Sequence, residues 1–108
     1  MIRLIYHRDN TRVSIEGHGG SGEAGHDLVC ASVSILAYTL ASFVQNMNKA
    51  KQVYNPKTDL REGNALIYCD PPSKYKNSVT LVFDSICGGF ELLARNYPQY
   101  VSFEIRGE

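Results

Sequence analysis

The stretch from Leu28 to Met47 constrains this chain more than any other, because its apolar residues recur with the period of a helix. Val33, Leu36, Leu40, Phe43 or Val44, and Met47 fall three and four residues apart, the spacing that puts side chains on one face. The run is long enough for about five turns at 3.6 residues per turn. Asp27 is placed to cap its start. An amphipathic helix of this length needs a partner layer, and the flanking segments supply one. Ile2 to His7 and Val13 to Ile15 are rich in β-formers, with a polar turn signal at Arg8-Asp9-Asn10-Thr11-Arg12, so a β-hairpin precedes the helix. After Lys49 the chain turns polar through Asn55-Pro56-Lys57-Thr58-Asp59, which reads as a connection, and Ala65 to Cys69 then reads as a short strand stopped by Asp70-Pro71-Pro72. Tyr100 to Ile105 alternates apolar and polar residues as a last strand. Val79 to Phe83 would suit a strand by composition. In the wider window, however, Val79, Val82 or Phe83, Ile86, Phe90 and Leu93 keep the helical period, with Ser78 placed to cap a second helix and Tyr97-Pro98 to stop it. Gly88-Gly89 is the weak point or the close-packing point of that helix. Strands before and after each helix predict an α/β fold, a mixed β-sheet with two α-helices packed on one face in a two-layer sandwich.

A chain of 108 residues suits one domain, residues 1–108, with one hydrophobic core and one site. Eleven Lys and Arg against eleven Asp and Glu leave no net field to draw in nucleic acid or an anionic membrane. No uninterrupted apolar stretch approaches the ~18 residues of a membrane span, and residues 1–8 lack the layout of a signal peptide, so the chain reads as cytoplasmic. Three cysteines, Cys30, Cys69 and Cys87, make an odd set without a C-x-x-C spacing, which argues against a disulfide framework.

The chemistry concentrates between Gly17 and Ser34. Residues 17–25 hold five of the nine glycines and read as a mobile loop, and this region also carries His18, His26 and Cys30. If Asp27 is the N-cap, Cys30 is the third helical residue, where amides without partners and the positive end of the helix dipole favour a thiolate. The same amides suit the oxyanion formed as a thiolate attacks a peptide carbonyl. His18, on the glycine loop, can take the thiol proton and later protonate the leaving amine. Ser34 lies one turn after Cys30 on the same helical face, where its hydroxyl can donate to the sulfur or the oxyanion.

Plainer readings exist for each residue. A lone helical cysteine is ordinarily buried and inert, and Cys69 and Cys87 are read that way. His7 is read as a solvated side chain, and His26 as a surface or loop residue before a catalytic one. Asp27 is accounted for by the cap, although one carboxylate can both cap a helix and orient an imidazole. A non-enzymatic ribosome-assembly or RNA-binding module, with phosphate cradled by the glycine loop, is the rival from another class. The zero net charge counts against it, and the loop lacks the lysine of a nucleotide-binding P-loop. A metal set of His18, His26 and Cys30 matches no strong zinc spacing, so neither metal nor cofactor is expected.

The run Gly17-His18, eleven further residues and then Cys30, with Gly25-His26-Asp27-Leu28-Val29-Cys30-Ala31 and Ser34, resembles the signature of the ribosomal-processing cysteine protease (Prp) family. The resemblance is close over the first two strands, the loop and the first helix, and extends to the second half in size and order of elements. It implies an endopeptidase that removes a short N-terminal extension from large-subunit ribosomal protein twenty-seven, cutting after an aromatic pair. Cys30 would be the nucleophile, His18 the base, Ser34 a supporting hydroxyl and Asp27 the acid of the motif. The resemblance further implies a homodimer and a glycine-rich loop that orders on the substrate peptide. The loop here opens with Gly19 where many relatives have Ala, which raises the entropy cost of closing it. Related proteases in prophage clusters make a capsid or scaffold protein the competing substrate.

Overall fold

The computed structural model describes residues 1–17 and 26–107, His26 through its backbone only. Five strands and two long helices follow in the order β1 (Ile2–His7), β2 (Arg12–Glu16), α1 (His26–Lys49), β3 (Tyr54–Arg61), β4 (Asn64–Asp70), α2 (Ser73–Asn96) and β5 (Val101–Arg106). The strands form one sheet ordered β3-β4-β2-β1-β5. β1 pairs antiparallel with β2 and parallel with β5, which makes the sheet mixed. Both helices lie against the sheet and against each other, giving the expected α/β two-layer sandwich.

Register explains how one face becomes the core. Successive strand residues point to opposite sides, and the pairing lines up Leu60, Ala65, Ile15, Leu4 and Phe103 across the five strands. Thr58, Ile67, Val13, Tyr6 and Ile105 form the next row. Leu4, Tyr6, Val13 and Ile67 are fully buried, against Val29, Leu40 and Val44 of α1 and Val79, Phe83 and Phe90 of α2. The other sheet face carries charges such as Arg3, Arg12, Lys57, Glu104 and Arg106, most of them exposed.

Polar groups drawn into the core find partners. The Tyr6 hydroxyl donates to Asp84 at 2.9 Å, and Arg8 makes a two-pronged contact with the same carboxylate at 3.0 Å and 3.0 Å. Thr11, in the left-handed region at φ 43°, donates its hydroxyl to the Cys69 carbonyl at 2.5 Å. Leaving such groups without partners would cost about 1–3 kcal/mol each.

Three expectations change. α1 begins at His26, so Asp27 is its second residue rather than its cap. A carboxylate there still complements the positive end of the helix. α2 begins at Ser73, with Pro72 as an extended N-cap residue at φ −66° and ψ 162°, and Ser78 lies inside the helix. Proline suits a helix start because its missing N–H has no intrahelical partner to lose. Finally β3 occupies a segment that reads as polar connection. It is an edge strand, exposed along most of its length, with a register shift between Tyr54 and Lys57 where Pro56 sits, the kind of edge on which proline is tolerated. Of the two central glycines of α2, Gly89 is the close-packing point. A Cβ there would come within 2.9 Å of Leu36 Cδ1, while one on Gly88 meets nothing within 4 Å.

Candidate active site

Cys30 is the fifth residue of α1, not the third. Its own amide is therefore used inside the helix, and the amides without intrahelical partners end two residues earlier, at Leu28. The helix-dipole argument weakens accordingly, since that effect fades beyond the first turn. What remains is reach. Side chains on a helix lean toward its N-terminus, so the Cys30 sulfur is carried back over the turn formed by His26 and Asp27.

Cys30 is half-buried and opens into a cleft of about 400 Å³. One wall is α1, with Cys30, Val33, Ser34, Ala37 and Tyr38. The floor is Ile2 and Ile15, and the facing wall is the β3–β4 hairpin from Leu60 to Ala65. The lining is mainly apolar, with Ser34, Arg61, Glu62 and Asn64 as its polar points. Such a cleft suits an apolar peptide side chain held beside a few hydrogen-bonding groups. Arg61 is tied to Asp59 at 2.6 Å, and this hydrogen bond holds the Asp59 carboxyl below the usual carboxylate range.

Gly17 completes the rim. Its amide donates to the Gly63 carbonyl at 2.9 Å. At φ +83° a Cβ on it would lie 2.4 Å from the Met1 carbonyl oxygen. Both the conformation and the contact require glycine. Gly17 thus sits at the edge of the cleft, between Met1 and the hairpin turn.

Of the site residues expected from sequence, Cys30 and Ser34 line the same cleft one helical turn apart. Asp27 is exposed on the first turn of α1 and does not line it. His18 lies outside the described residues, as do the glycines after it, and with them the expected mobile loop and the set of His18, His26 and Cys30. Cys69 and Cys87 are buried as expected. Burial pushes the Cys69 thiol up to about 11 and the Cys87 thiol to about 12. None of the three cysteines is in a disulfide. The facing wall, with Arg61, Glu62 and Asn64, goes unread in the sequence. The turn residues Gly63-Asn64 beside the apolar run Ala65 to Cys69 are the signal that would have found it.

The geometry has parallels. The protein SMU.848 from Streptococcus mutans is 28% identical, with a TM-score of 0.67, and the match covers 99% of this chain and 93% of that one. The S. aureus ribosomal processing protease Prp has the same fold at 16% identity. Solved with a substrate peptide it has a TM-score of 0.69, and with a covalently linked product peptide 0.68, each match covering 97% of both chains. Among curated proteins no sequence matches. The family model described as cysteine protease Prp matches residues 1–102, nearly the whole chain. A helix that opens a thiol into an apolar cleft, in a chain matched over that span, places this protein in the Prp family of cysteine proteases.

Proposed function

We propose that this cysteine protease is a cytoplasmic endopeptidase that removes a short N-terminal extension from large-subunit ribosomal protein twenty-seven, with Cys30 as nucleophile and His18 as general base. The observation that carries the reading is that Cys30 and Ser34 open together into one apolar cleft whose rim is Gly17. His18, the proposed base, follows Gly17 directly in the chain. The S. aureus relative, solved with a substrate peptide and with a covalently linked product peptide, supports a peptide substrate and a covalent route.

In this reading the Cys30 sulfur attacks the scissile carbonyl carbon as its proton passes to His18. The resulting oxyanion is met by donors at the start of α1 and by the Ser34 hydroxyl. Collapse breaks the C–N bond, with His18 returning the proton to the departing amine and leaving a thioester on Cys30. Water, activated by His18, then hydrolyses the thioester and restores the thiol. Asp27, exposed on the first turn, complements the helix dipole rather than touching the reacting atoms. The apolar cleft walls suit the aromatic residues before the cut, and the working species is a homodimer.

Incubating the protein with N-terminally extended ribosomal protein and with phage capsid protein, read by intact-mass spectrometry, tests this directly. The expected result is loss of the extension mass from the ribosomal protein alone, absent with Cys30→Ala. Cleavage by Cys30→Ala refutes the assignment of the nucleophile, and cleavage of the capsid protein alone refutes the substrate.

A further inference from the structure

The sheet has two edges, and one of them borders the cleft. β5 contributes nothing to the cleft wall, whereas β3 supplies Leu60 and Arg61. Which backbone groups the β3 edge presents follows from two hydrogen bonds. The Gly17 amide donates to the Gly63 carbonyl at 2.9 Å, and the Cys69 amide to the Thr11 carbonyl at 3.4 Å. A residue in an antiparallel ladder turns its N–H and C=O to one neighbouring strand, and the next residue turns to the other. Gly63, Ala65, Ile67 and Cys69 therefore bond toward β2. Asn64, Leu66 and Tyr68 bond toward β3, where their partners are Arg61, Asp59 and Lys57. Thr58 and Leu60 are left with N–H and C=O directed away from the sheet. Among the described residues no strand pairs with that side, and no backbone–backbone hydrogen bond reaches it.

An edge of this kind is a template for another strand, and folded proteins blunt it. Here the blunting is confined to the half farther from the cleft. Pro56 has no N–H to offer, and the register shift between Tyr54 and Lys57 interrupts the ladder there. From Thr58 to Leu60 the register is regular. The side chains of these two residues tie the edge to the site. Leu60 lines the cleft, and Thr58 accepts a hydrogen bond from Gln45 of α1, the helix that carries Cys30, at 3.1 Å.

We propose that the free edge of β3 takes the main chain of the substrate as a sixth strand, held by the N–H and C=O groups of Thr58 and Leu60. This deepens the proposed function and rests on its peptide substrate. Two donors and two acceptors, set in pairs two residues apart, match the main chain of an extended peptide and select no side chain. An added strand lies ~4.8 Å outside β3. Its residue opposite Leu60 turns its side chain to the same face as Leu60, toward the mouth of the cleft. The edge thus grips the backbone while the cleft receives a side chain.

N-methylation of the substrate tests this, because it removes one main-chain donor at a time. The probe is a synthetic peptide spanning the junction of the extended ribosomal protein, methylated in turn at each amide except that of the scissile bond. Only alternate peptide amides face the edge, whichever way the strand runs. KM is expected to rise at least tenfold at two positions two residues apart and less than threefold at the residue between them, with kcat held within twofold. On the protein side, Thr58→Pro removes one edge donor and no ladder bond, whereas Thr58→Val removes the hydroxyl and keeps the donor. KM is expected to rise at least threefold for Thr58→Pro and to stay within twofold for Thr58→Val, with far-UV dichroism unchanged in both. A peptide cut with an even methylation profile overturns the strand docking alone, as does a KM unmoved by Thr58→Pro or moved equally by Thr58→Val. If Thr58→Pro fails to fold, the methylation profile decides by itself. A peptide neither cut by the wild type nor bound by Cys30→Ala in calorimetry overturns the proposed substrate and the docking with it.

Discussion

α1 and α2 are each 24 residues long, lie on the same face of the same sheet and carry one cysteine apiece. Cys30 sits a turn from the start of α1 and opens into a cleft. Cys87 sits in the middle of α2 at 2% exposure, near Tyr6 and Asp84. Burial drives its thiol up to about 12, with the Asp84 carboxylate adding to the effect. Place along the helix thus separates a thiol that can meet a substrate from one that serves as a small apolar filler.

The largest test of that contrast is a pair of alanine variants. Cys30→Ala is expected to lower peptide hydrolysis at least about 10³-fold with the fold intact, since removing a nucleophile disables the catalytic unit it belongs to. Cys87→Ala is expected to keep the wild-type rate, and the reverse pattern breaks the comparison. Next comes the packing that holds α2 in place. Phe83 is fully buried against Tyr6, with ring centroids 6.1 Å apart, and Phe83→Ala is expected to cost about 3–5 kcal/mol in denaturant unfolding.

The thiols also predict a pH dependence. Cys69 and Cys87 are raised in the fold, so the folded state favours their neutral forms. Their contribution to stability is fully present below the unfolded thiol pKa of ~8.5 and is lost as the pH rises toward the folded values. Unfolding free energy measured from pH 8 to pH 11 is expected to fall, and less steeply in the double variant Cys69→Ala and Cys87→Ala. At pH 8, iodoacetamide is expected to label Cys30 first and the other two only on unfolding. The smallest effect separates two neighbouring glycines. Gly88→Ala is expected to stabilise α2 by up to about 1 kcal/mol through helix propensity. Gly89→Ala presses on Leu36 and is expected to gain nothing, as a thermal melt of the two variants will register.

Much of this architecture is written locally. β1, β2, β4, β5 and both helices follow from short-range apolar patterns, because each buries one face and repeats with its own period. β3 does not. Tyr54 to Arg61 is mostly polar and exposed, and it is a strand through its pairing with β4, not through its own pattern. The facing wall of the cleft was hidden for the same reason. Cys30 and Ser34 were legible together because helical spacing fixes their shared face whatever the fold. The start of α1 was not, since the capping rule seeks a polar side chain while the helix begins one residue before Asp27.

The position of β1 carries a consequence for how the molecule is made. Its two edges are covered by β2, which follows at once, and by β5, which comes from the far end of the sequence, with Ile2 opposite Val101. A growing chain on the ribosome can close the first hairpin early but must hold an unsatisfied strand edge until β5 has been made. Contacts of such long sequence separation slow folding and leave sticky intermediates. Nascent copies therefore depend on β5 to become safe, and loss of that strand would favour aggregation over a shortened enzyme.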